Sequence, residues 1–161
     1  MTTINTNYMV QQQLMGGTPF GNTRNLPYHF ETDASGVIAG AGGDLATAIQ
    51  IADVVRLGIL PKGMSMQDAL VVISDAFTAS TTASIGFAYV DGVDVAAAAQ
   101  DAAYFASALA TSSTGVSRKT GVKAPITLPK DAYLILTIAG AAHASVGIMD
   151  VIVQGIDTGG N

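Results

Sequence analysis

AYLILTIAGAAHASVGIMDVIVQGID, residues 132–157, reads as two strands joined by a short loop. Leu134, Leu136 and Ile138 share one face of the first strand; Met149, Val151 and Val153 share one face of the second. Successive side chains of a strand point to opposite faces, so this period of two is what a half-buried sheet requires. The intervening GAAHAS is small and polar enough to turn, which predicts a hairpin with His143 as a solvated residue at its tip. An isolated pair of strands is marginal in water. The rest of the chain must complete the sheets.

Outward from this stretch the same alternation recurs. In residues 81–90, Ala83, Ile85, Phe87 and Tyr89 face one way and Thr82, Ser84, Gly86 and Ala88 the other; Asp91-Gly92 then turns the chain. DALVVISD, residues 68–75, is an apolar run between acids and reads as a strand buried on both faces. Val55, Leu57 and Ile59 alternate with Val54, Arg56 and Gly58 up to the turn Pro61-Lys62-Gly63. Residues 45–52 place Thr47, Ile49 and Ile51 on one face of a further strand, and GVIAGAGG (36–43) is a glycine-broken strand or linker. Residues 123–128 form a brief strand closed by Pro129-Lys130-Asp131, with another short one at Val116.

VAAAAQDAAYFASALA, residues 95–110, departs from the pattern. Alanine favours helix over strand, which predicts a helix or helical turn around residues 96–105, although the second half could lie along a sheet edge. The count is seven to eight strands with turn signals at short intervals. That predicts a mainly all-β chain: an antiparallel β-sandwich or jelly roll with one short Ala-rich helix. A parallel α/β fold would need repeated helices between its strands.

Residues 1–36 differ in composition. They are rich in Asn, Gln, Thr and Gly, and their apolar residues stand singly. We read them as an extended N-terminal arm that anchors to a partner through Tyr8, Met9, Leu14, Phe20, Tyr28 and Phe30. Some 35 residues could reach on the order of 100 Å when fully extended. The sandwich then spans residues 37–157, and residues 158–161 are a flexible tail.

Of the 161 residues, 49% are hydrophobic and only 12% charged, against about 25% charged in ordinary globular chains. No apolar run reaches the roughly 18 residues of a membrane helix. The low charge therefore points to surface covered by protein. A net charge of −5 argues against nucleic acid, which selects a basic face. There is no cysteine, hence no disulfide and no thiolate chemistry.

Nothing assembles into a catalytic motif. His29 and His143 lack metal-ligand spacing, so no metal or other cofactor is expected. No G-x-S-x-G elbow is present, D-G-V-D at Asp91–Asp94 departs from calcium-loop spacing, and no Trp offers a sugar platform. Arg118 and Lys119, adjacent in a polar loop, are candidates for pairing with acids of a neighbouring subunit.

The order of these segments carries a resemblance. DVVRLGILPKG (53–63), DALVVISD (68–75), STTASIGF (80–87), YFASALATSSTGV (104–116) and the final apolar strand pair resemble small β-sandwich structural proteins of tailed-bacteriophage virions, of the capsid decoration or cement type. The resemblance covers residues 46–157 and leaves the arm outside it. It implies a non-enzymatic virion protein on the outer capsid surface. Its expected partners are the major capsid protein and copies of itself, as a homo-oligomer such as a trimer. A neck, tail or fibre-base component and a carbohydrate-binding host-recognition module are the alternatives.

Overall fold

The computed structural model describes residues 3–5, 23–40, 47–119 and 123–157. Its strands are β1 (Thr3–Asn5), β2 (Thr23–Thr32), β3 (Val54–Leu60), β4 (Met64–Asp75), β5 (Thr82–Tyr89), β6 (Asp101–Ala110), β7 (Gly115–Arg118), β8 (Ile126–Thr127), β9 (Ala132–Ala139) and β10 (Gly147–Asp157). They form two sheets. The first runs β1-β3-β9-β5-β6; the second runs β2-β10-β4-β7, with β8 also on β4. All pairings are antiparallel except β1 on β3. The two sheets form the expected sandwich, with two more strands among the described residues than the upper count.

Both strands of residues 132–157 exist, and all six inward residues are 1% exposed or less. They are not a hairpin. β9 pairs with β3 and β5, whereas β10 pairs with β2 and β4 in the opposite sheet. Residues 140–146 cross from one sheet to the other. Each strand buries its apolar face against the other sheet, a closure that pairing within one sheet would not give. The crossover carries His143 inward to 2% exposure, correcting its reading as a solvated tip.

The sandwich begins earlier than residue 37. Residues 23–32 form a full strand along β10, with Tyr28, Phe30 and Thr32 facing the core. Pro27 broke the visible alternation, yet it fits at an edge. Glu31 O accepts from Ala39 N, and Asp33 N donates to Val37 O, so the odd-numbered backbone groups here point away from β10. Pro27 falls in that outward set, where its missing N–H costs no bond to β10. Tyr28 also donates its hydroxyl to Ile59 O at 2.8 Å, tying the second sheet to β3 of the first. Tyr28→Phe should cost about 1 kcal/mol, read from the urea midpoint at constant slope.

Tertiary contacts overrule alanine propensity in residues 96–105. Only Ala96–Ala98 wind, as a single 3₁₀ turn and not a longer helix, and the second half lies along the sheet edge as β6, the alternative the sequence left open. Tyr104, Phe105 and Ala106 are all buried, around two register shifts against β5. Gly86 allows this close approach, because a Cβ there would lie 1.9 Å from Asp101 O.

Three smaller expectations also change. β3 has a register shift between Arg56 and Gly58, so Leu60 and not Ile59 faces inward. β4 alternates, with Leu70 and Val72 half-buried on its outer side and not enclosed. Residues 47–52 form a loop and not a strand: Asp53 accepts from Gln50 N, Ala52 takes φ 68°, and Ile51 is 56% exposed.

Candidate contact surfaces

The outer face of the second sheet is a grid set by register. One row runs Pro27, Ile152, Leu70, Arg118; the next runs His29, Asp150, Val72, Val116. Val116 is 67% exposed. Arg118 reaches Asp68 at 2.7 Å, while His29 Nδ1 lies 2.7 Å from Asp150 Oδ1 and its Nε2 3.5 Å from Glu31 Oε2. Partial burial pulls the His29 pKa down, but the bonds and charges of Asp150 and Glu31 prevail and hold it above the ordinary value.

A second apolar surface lies at the β5–β6 turn. Val93 is 62% exposed and Val90 44%. The turn is held from below. Lys130 Nζ bonds both Asp91 oxygens and Val93 O, at 2.6 to 2.8 Å, and lies 4.6 Å from the Tyr89 ring centroid. The bond from Lys130 lowers the Asp91 pKa. Gln100 N donates to Asp94 Oδ1, closing the loop on the 3₁₀ side. A turn fixed in this way presents its valines with little entropy left to lose on contact.

The proposed anchors separate into two groups. Tyr8, Met9, Leu14 and Phe20 lie outside the described residues. Tyr28 and Phe30 are each 1% exposed in the chain's own core, so they are not offered to a partner. Arg118 and Lys119 are engaged within the chain. Lys119 Nζ bonds Lys123 O and lies 4.1 Å from the Tyr104 ring centroid, and desolvation lowers its pKa. Lys123 in turn pairs with Asp101. The exposed valines were not legible in the sequence, because each stands alone in a polar turn. The His29–Asp150 pair needed the β2–β10 register.

Among the described residues no group of three or more His, Cys, Asp or Glu side chains is placed to hold a metal ion. No helix there is long and apolar enough to cross a membrane. The described residues present apolar area on the outer face of the second sheet and on the β5–β6 turn.

No protein-family model and no curated protein matches the chain. Solved structures do. A chain from the capsid of Ralstonia phage GP4 superposes with a TM-score of 0.63 at 12% identity, covering 97% of this chain and 98% of that one. A chain from the cyanophage Pam1 capsid asymmetric unit gives 0.56 at 16% identity, covering 91% and 94%. At such identities the likeness establishes a shared fold.

Proposed function

We propose that this chain is a structural protein of a bacteriophage virion, and within the virion a decoration protein that stabilises the head by bridging capsid subunits from outside. The observation that carries the reading is the near end-to-end match of its fold with the chain from the GP4 capsid, 97% of this chain on 98% of that one. The surface supports it: 12% charged residues overall, a half-apolar outer sheet face and exposed valines on a fixed turn. Such a protein works by burying area, at about 25 cal/mol per Å² of apolar surface. Repetition over a shell strengthens contacts that are individually weak.

The test is co-sedimentation of purified protein with phage heads that lack it. Saturable binding at a copy number scaling with the shell subunits is expected, together with greater resistance of the heads to heat. Binding at one vertex only would place the protein in a neck or tail, and no binding would remove the reading. Val116→Lys and Val93→Asp identify the face: one of them should lower bound protein about tenfold or more without moving the melting temperature.

A further inference from the structure

Every buried polar or charged side chain among the described residues lies at one end of the sandwich: Thr32, Asp53, Thr81, Thr111 and His143. Four of the five are hydrogen-bonded. Thr32 Oγ1 donates to Ser145 O, Asp53 accepts from Gln50 N, Thr81 Oγ1 donates to Thr78 O, and Thr111 Oγ1 donates to Thr81 Oγ1. His143 is the exception, with neither ring nitrogen partnered. Its ring sits against Phe77 at 4.9 Å and Phe30 at 6.0 Å between centroids. Orphaned buried polar groups are rare because each costs the desolvation it never recovers.

The same end holds backbone in the left-handed region at non-glycine positions, Ala52 (φ 68°) and Ser80 (φ 65°), beside Gly36 and Gly140. Strain of this kind persists only while the surroundings enforce it. What enforces it here is the crossover. His143 N donates to Ile49 O, Ile49 N to Gly36 O, and Ala144 N to Thr78 Oγ1. Three loops, those of Gly36, Ile49 and Thr78, thus converge on the segment that carries the unpaired imidazole.

We propose that the crossover of residues 140–146 is an acid-sensitive latch: protonating His143 drives its ring off the stacked Phe30–Phe77 pair and frees this end of the sandwich, while β4 and β10 stay paired. A cation there would have nothing to meet. Asp53 is turned to Gln50 N, Asp33 to the amides of Ser35 and Val37, Glu31 and Asp150 to His29 on the outer face, and Asp75 is exposed at the end of β4. Desolvation alone lowers the His143 pKa to about 4, so the proton is taken up by the open form first.

Hydrogen exchange on the full chain, corrected for intrinsic rates, tests this. Between pH 8 and pH 5 the opening equilibrium reported by the amides of Ile49, His143 and Ala144 should rise about 30-fold, the ratio set by ring pKa values of about 6.5 open and 4 closed. Amides of Val71 and Val151 should not change. His143→Phe should abolish the dependence. Equal protection at both pH values, or an unchanged dependence in His143→Phe, overturns the proposal. Should that variant fail to fold, titration of the wild-type ring by NMR decides: a native midpoint at or above 6 without loop opening also overturns it.

Discussion

Gly36→Ala should destabilise the protein by about 3–5 kcal/mol, in the range reserved for substitutions that force backbone to move. Two causes add. Gly36 has φ 75°, which L side chains rarely adopt, and an added Cβ would stand 2.0 Å from His143 O and 2.3 Å from its carbonyl carbon. The obstacle is backbone, so no rotamer change relieves it. Two other glycines separate the causes. Gly92 has φ 71° but open space around it, so Gly92→Ala should cost only about 1–2 kcal/mol. Gly115 meets nothing within 4 Å and has no positive φ, so Gly115→Ala should be within about 0.5 kcal/mol of neutral. Urea midpoints of the three variants check the ranking. Gly36→Ala no worse than Gly92→Ala would mean that the contact with the crossover is not as tight as described.

Stability should fall by about 3 kcal/mol as pH drops from 6.5 to 4, with His143 responsible. The sign follows from where protons bind. Folded His143 has its pKa lowered to about 4, while in the unfolded chain it sits near 6.5. Between these values the unfolded state holds the extra proton, so acid favours unfolding, and the contribution is fully present only above the unfolded value. His29 acts oppositely. Its folded pKa is raised, so its contribution is present at low pH and fades as pH rises through that value. His29 is partly exposed and its pairs lie in water, so the opposing slope should be shallow. Asp91 and Asp101 have lowered pKa values and add acid loss only below the usual carboxylate range. Urea melts from pH 4 to 8 should therefore show an acid limb that His143→Phe flattens and His29→Gln steepens slightly. A limb unchanged in His143→Phe would remove the assignment.

The strands were legible where one residue in two is apolar and nothing interrupts. Ala83, Ile85, Phe87 and Tyr89 face the core as the alternation requires, as do the inward residues of β9 and β10. What the alternation does not carry is partnership. A strand followed by a short loop and another strand looks the same whether the second returns beside the first or crosses the core, and here it crosses. β2 was hidden because Pro27 interrupts a pattern that an edge position tolerates. Residues 96–105 were legible only as alternatives: local propensity yields a single turn at Ala96–Ala98, while Tyr104 and Phe105 gain more from burial along β5 at the sheet edge. The contact surfaces were least legible, since a lone valine in a turn gives no sign of whether it faces water.

The outward-facing backbone of β2 has a last consequence. Where a neighbouring chain would have to hydrogen-bond, Pro27 offers no donor, and Glu31 and Asp33 are already taken by Ala39 and Val37. A strand added along that side would meet a broken row of partners, which disfavours extension of this sheet through β2 at high local concentration. A solution of the protein should therefore tolerate crowding without polymerising along β2.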